Sequence, residues 1–181
     1  MKKNVWIVPI VLVLALILNS CGTQQKATAP VTTPVAQEPV VAVESLKEVI
    51  SIADALDMYQ NPNKVDAITK KYGYKLKTNY EVYRLDKFSK MYYKNCALAK
   101  LLTADKYEDY PKPMRKGVSS YVAFKDGAII IAVFNQPAYD NLVAQVKAAG
   151  FTLDMPGSED IYTNGSRTIA CYKDGKSVRI Q

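Results

Sequence analysis

Hydrophobic spacing changes character several times along the chain, and each change marks a predicted element. From Ser45 the spacing is helical. Ser45 and Glu48 stand three apart, as in a capping box, and Leu46, Val49, Ile50, Ala53 and Leu56 mark one face. Asn61-Pro62 predicts a second helix start, because proline at the first helical position gives up only an amide that has no partner anyway. Val65, Ile68 and Tyr72 form that helix's stripe, and Gly73 ends it. The period then falls to two. Tyr74, Leu76, Tyr80 and Val82 alternate with Lys75, Lys77, Asn79 and Glu81, the pattern of a half-buried antiparallel strand. A second strand is expected over 90–98, and 101–117, with Pro111, Pro113 and Gly117, reads as a long loop. Strands at 118–124 and 128–134 flank Asp126-Gly127, a favoured hairpin turn. Pro137 opens a third helix, with Tyr139, Leu142, Val143 and Val146 inward and Gly150 at its end. Four short strands follow at 151–155, 160–163, 166–172 and 176–180, turned by Asn164-Gly165 and Asp174-Gly175. Hairpin strands with helices segregated between them predict an α+β domain over 45–181: an antiparallel sheet, two N-terminal helices and one later helix.

One internal echo stands out. Lys70-Lys71-Tyr72-Gly73-Tyr74-Lys75-Leu76 aligns with Lys147-Ala148-Ala149-Gly150-Phe151-Thr152-Leu153. Both segments run from a helix end through glycine and an aromatic residue into a strand. A duplicated helix-and-strands unit explains this, and so does the ordinary chemistry of helix-to-strand turns.

The N-terminal 44 residues fit neither period. Lys2 and Lys3 precede an apolar run from Val5 to Leu18. A helix of that length spans about 21 Å, short of the roughly 30 Å bilayer core, which indicates a signal peptide over 1–20. Beyond it, GTQQKATAPVTTPVAQEPVVAVE carries Pro30, Pro34 and Pro39 without periodicity, so 21–44 reads as a Pro/Thr-rich tether. At about 3.1 Å per residue it reaches at most roughly 70 Å. Leu18-Asn19-Ser20-Cys21-Gly22 resembles the lipobox of bacterial lipoproteins, with Leu at −3, a small residue at −1 and then the cysteine. Asn19 departs from the small or apolar residue usual at −2. The resemblance, confined to residues 1–22, implies that Cys21 is lipidated and becomes the first residue. Gly22, where inner-membrane retention would use Asp, implies an outer-membrane, periplasm-facing protein held on the membrane by its lipid anchor.

Composition narrows the chemistry. The 181 residues include no histidine, which excludes Ser-His-Asp and Cys-His catalysis and any His-ligated metal. No phosphate-loop, dinucleotide, nucleophile-elbow or SxxK pattern is present. The carboxylate pairs Glu108-Asp109 and Glu159-Asp160 lack the separation across a cleft that acid–base work needs. Asp154, Glu159 and Asp160 do not match an EF-hand spacing. The expectation is therefore a protein that is not an enzyme and has no cofactor and no metal. With Cys21 lipidated, Cys96 and Cys171 remain, either as a disulfide or as two buried thiols acting as small apolar residues.

Charge is unevenly placed. Residues 61–116 hold 14 basic and 6 acidic side chains, whereas 117–181 hold 6 of each. The basic stretch also carries eight tyrosines. Either the lysines are a solvated face with the tyrosines inside, or Lys and Tyr together face an anionic partner. Candidate partner-binding residues are Tyr107, Tyr110, Arg115 and Lys116 in the long loop, with Lys90, Tyr92 and Lys94 on the strand before it. Basic aromatic strands also suit single-stranded nucleic acid, but the compartment argues against that partner. In element order the domain resembles small periplasmic inhibitor and assembly-factor domains of the β-lactamase-inhibitor-protein type. Two functions are expected from these features. One is an outer-membrane adaptor or accessory subunit contacting an envelope protein or anionic envelope polymer. The other is an inhibitor or immunity lipoprotein that neutralises a toxin or foreign enzyme.

Overall fold

The computed structural model describes residues 43–82, 86–98, 101–103, 106–107 and 111–181. The expected signal peptide and the tether up to residue 42, including Cys21, lie outside them. So do Tyr110, Glu108 and Asp109, and Tyr107 is described only in its backbone.

The first helix, α1, spans Ile52–Gln60, and its N-cap is Ser51, whose hydroxyl accepts from the Asp54 amide at 3.1 Å. The start expected at Ser45 is thus corrected by six residues. The reason lies in what each start buries. Beginning at Ser51 sends Ile52, Ala55 and Met58 inward and leaves Ala53 exposed. Val49 and Ile50 reach the core from the preceding turn, at 2% and 0% exposure. Glu48, no longer needed as a capping partner, turns instead to Lys94. After a single 3-10 turn at Pro62–Lys64, α2 covers Val65–Lys71, and the Tyr72 hydroxyl donates to Asp54 at 2.6 Å, tying α2 to α1. The third helix, α3, spans Gln136–Ala148, capped by the Asn135 carboxamide oxygen accepting from the Ala138 amide.

A single eight-stranded antiparallel sheet carries these helices. In chain order its strands are β1 (Lys75–Val82), β2 (Asp86–Lys94), β7 (Ser120–Lys125), β8 (Ala128–Val133), β9 (Thr152–Met155), β10 (Glu159–Thr163), β11 (Thr168–Tyr172) and β12 (Ser177–Ile180). Across the sheet the order is β1-β2-β7-β8-β12-β11-β10-β9. Between β2 and β7 lie four short strands in two separate pairs. β3 (Cys96–Ala97) pairs with β6 (Lys112–Pro113), and β4 (Leu101–Thr103) pairs with β5 (Lys106–Tyr107). The strand expected over 90–98 therefore ends at Lys94. Asn95, with φ of +52°, bends the chain out of the sheet in a conformation that asparagine tolerates better than most residues.

Strand order makes the internal echo architectural. Helix, then a four-stranded meander, occurs twice, as α1-α2-β1-β2-β7-β8 and α3-β9-β10-β11-β12, and the two meanders meet through their last strands. The echoed segments occupy equivalent places. Gly73 and Gly150 both take left-handed φ, +77° and +84°. The Tyr74 amide donates back to Thr69 O and the Phe151 amide to Val146 O, the same closure of a helix end. Both aromatic rings are buried. The units differ in one connection: residues 95–119 join β2 to β7, where residues 164–167 join β10 to β11.

The helices lie on one face of the sheet, against the central strands β8 and β12. That face holds the main core, where Ile129, Ile131, Val178 and Ile180 of the seam meet Ile52, Met58, Leu142 and Val146 of the helices. Tyr74 closes the end of this core. Its hydroxyl shares a 2.7 Å hydrogen bond with Ser120 and accepts from the Ile50 amide, and burial pushes it up to about 12. Leu76, expected inward, is 48% exposed because β1 is an edge strand and lies beyond the cover of the helices. On the other face a smaller cluster gathers Tyr80, Phe88, Met91 and Ala123.

Candidate functional site

Two of the hollows among the described residues bear on function. The first is a groove of about 330 Å³ at the neck of the 95–119 connection. β1 contributes Lys75, β2 contributes Tyr93 and Lys94, and the connection returns Met114 and Arg115. Register brings Lys75 opposite Tyr93 across the β1–β2 hairpin. The far wall is held by hydrogen bonds at the neck. Asn95 O accepts from the Met114 amide at 2.8 Å and from the Ser119 hydroxyl at 2.7 Å, and the Ser119 oxygen accepts from the Arg115 amide at 3.1 Å. Ser119 is almost fully buried, so the backbone at Arg115 is anchored while its side chain stays exposed.

Electrostatics in the groove are cationic with one internal partner. Lys94 Nζ donates to Glu48 Oε2 at 2.5 Å and to Glu48 O at 3.3 Å. Its side chain is 15% exposed, that of Glu48 55%. The Lys94 hydrogen bond and charge hold the Glu48 carboxyl below its ordinary 4.5, with Arg115 adding a smaller pull. Lys75 and Arg115 make no ion pair among the described residues. Met114, 70% exposed, stands beside them.

The described sequence candidates have different fates. Arg115 and Lys116 are exposed on the connection, where they were expected to be. Tyr92 is not a contact residue: it is 3% exposed, and its hydroxyl donates to Asp66. The strand's twofold alternation sends it to the helix-covered face, so it belongs to the core. Lys94 is engaged with Glu48 as well as lining the groove. Lys90 is exposed but lies four residues back along β2, roughly 13 Å from Lys94. Lys75, Tyr93, Met114 and Glu48 were missed. The β1–β2 register would have found Lys75 and Tyr93, but nothing local points Glu48 at Lys94, 46 residues away.

The second surface is an apolar pocket of about 420 Å³ on the face away from the helices. Ile130 and Ala132 alternate with the core residues Ile129 and Ile131, and Phe88, Tyr121, Phe134 and Tyr172 complete the walls. Gly175 shapes one side. A Cβ there would stand 2.5 Å from the Tyr172 ring, so only glycine lets that ring fold over the turn. Among the described residues its lining has no carboxylate, amine or thiol, and Ser177, Tyr121 and Tyr172 bring its side-chain hydroxyls.

Cys96 and Cys171 are both free and buried. Cys171 sits within the main core on β11, whereas Cys96, on β3, donates its thiol to the carbonyls of Lys94 and Ser120. Burial pushes Cys96 up to about 11 and Cys171 up to about 12. At pH 8 only about one Cys96 thiol in a thousand is then a thiolate. In a Cys21→Ser variant, Ellman's reagent is expected to leave both thiols unmodified until denaturant is added. Rapid labelling of a thiol under native conditions would contradict this burial. The carboxylates are dispersed too. Glu159 pairs with Arg179 at 2.7 Å, and Asp160 accepts from the Gly157 amide. No group of three or more potential metal-ligating side chains occurs among the described residues.

Compared with protein-family models, with curated proteins and with solved structures, the chain matches none.

Proposed function

We propose that this is a lipid-anchored outer-membrane protein facing the periplasm, not an enzyme, whose α+β domain docks another envelope component through the basic groove. The observation that carries the reading is that Lys75 of β1 and Arg115 of the anchored connection, neither in an ion pair among the described residues, line one groove with exposed Met114. Fixed cations next to apolar surface suit a protein contact, because charge steers the encounter and the apolar atoms add affinity. Lys112 and Lys116 are exposed on the same connection as Arg115 and add to its positive charge. The lipobox-like segment supplies the anchor, and the tether gives the domain room to reach its partner.

Cross-linked affinity purification of the full chain from its own envelope tests this, with Lys75→Glu/Arg115→Glu/Lys116→Glu as the comparison. A specific partner is expected with the wild type and lost with charge reversal. Cys21→Ser is expected to move the protein from the membrane to the soluble fraction. Capture that survives charge reversal, or no capture at all, would sink the adaptor reading.

The apolar pocket favours a second reading, an inhibitor or immunity lipoprotein. A preformed aromatic-lined cavity is a ready receptor for an apolar anchor of a foreign enzyme or toxin. Substituting Ile130→Glu would abolish protection under that reading and leave adaptor capture intact.

A further inference from the structure

Glu48 binds one residue of the groove lining, Lys94, in the manner of a ligand. It arrives on a turn outside the sheet, places a carboxylate on recessed Lys94, and remains more than half exposed itself. A cation sunk in a groove with a carboxylate at the rim can exchange that carboxylate for another without rearranging the sheet. The two cations beside it, Lys75 and Arg115, are not used by Glu48 as hydrogen-bond donors. The groove therefore offers more cationic hydrogen-bond donors than Glu48 takes up.

We infer that the groove is a binding site for an acidic peptide segment of a protein partner, and that Glu48 is an intrachain competitor that such a segment displaces from Lys94. The inference rests on the docking reading above and names the chemistry of that site. A peptide is favoured over an anionic polymer because the group that Lys94 now holds is itself a peptide-borne carboxylate. Tyr93 and Met114 beside the cations also provide apolar contact that a phosphate or sugar chain would not use. Displacement trades one exposed ion pair for another, so the intrinsic cost of opening is small. Lys75 and Arg115, in no ion pair among the described residues, then supply the net gain.

Removing the competitor should tighten binding. An exposed ion pair of ordinary strength lowers the fraction of open groove by roughly two- to sixfold. The test uses the full chain in non-ionic detergent and a fluorescein-labelled hexaglutamate peptide, read by anisotropy. A hexaglutamine peptide is the control, and inorganic polyphosphate of equal charge is the competitor. Glu48→Gln is expected to bind hexaglutamate roughly two- to sixfold more tightly than the wild type. Lys75→Ser/Arg115→Ser should lose at least tenfold, with far-UV circular dichroism and melting unchanged in both variants. Unchanged or weaker binding by Glu48→Gln overturns the competitor role. Polyphosphate displacing the peptide as well as unlabelled hexaglutamate does overturns the peptide assignment. If an envelope partner is captured through Lys75 and Arg115 while hexaglutamate does not bind, this inference fails and the docking reading stands. If hexaglutamate binds with the Glu48→Gln gain but no envelope partner is captured, the docking reading fails instead.

Discussion

Replacing Ile131 by Ala is expected to destabilise the domain by about 2–5 kcal/mol, a large share of the stability of a domain this size. Ile131 is fully buried at the middle of β8, in register with Val122 on β7 and Val178 on β12. It lies under the helices at the seam where the two meanders join. Truncation there removes apolar burial from both units at once, and neither backbone can close the gap without breaking a ladder of hydrogen bonds. The cavity therefore persists, and its surface adds to the lost transfer energy. Urea unfolding should show a lower midpoint with an unchanged slope, and melting should fall by on the order of 10 °C. Ile131→Val, which deletes one methylene, should cost only about 0.5–1.5 kcal/mol. A loss below about 1 kcal/mol for the alanine variant would mean that the seam is not a packed core.

Changing Gln145 to Leu should cost about 1–3 kcal/mol, although leucine is the more apolar residue and the site is buried. Gln145 Oε1 accepts from the Ile52 amide at 2.9 Å, one of the α1 amides without a partner inside the helix. Its Nε2 donates to Asn141 Oδ1 at 2.7 Å, and Asn141 Nδ2 donates onward to the Glu44 carbonyl at 3.0 Å. The α3 helix thus caps α1 from the side and fastens the entering chain in the same network. Leucine leaves the Ile52 amide buried without an acceptor, and the penalty is the desolvation of that group rather than lost packing. Equilibrium urea unfolding gives the magnitude, and amide exchange gives the cause: Ile52 should lose protection while Ile131 keeps its own relative to global stability. Gln145→Glu, which retains an acceptor, should recover part of the loss. If Gln145→Leu is neutral, water must reach the start of α1.

Much of the fold was legible along the chain because its signals are short-range. The Asp126-Gly127 hairpin follows from two residues that accept positive φ, and they adopt +50° and +78°. The inward set of α3 follows from the helical period: Tyr139, Leu142 and Val146 are buried, and Val143 packs against the core from its edge. The echo around Gly73 and Gly150 marked two equivalent helix-to-strand junctions. The α1 start was misplaced because Ser45 and Ser51 are both competent caps, and which one wins depends on where Val49, Ile50 and Gln145 sit in space. Leu76 and Tyr92 were misassigned for a related reason. Alternation tells which residues share a face, but which face the helices cover, and how far that cover extends, depends on strand order.

Taken alone, the sequence determined the α+β class, the turns, the glycine stops of the second and third helices, the excess of positive charge over 61–116 and the absence of histidine chemistry. All of these depend on residue type or on neighbours within a few positions. Tertiary structure decided what lies far apart in the chain: that the two meanders join at β8 and β12, that Tyr92 is core, that Glu48 meets Lys94, and that Lys75 and Arg115 share one groove. Pairings of this kind are selected by the burial of whole faces against one another, a free energy that no local stretch of sequence contains.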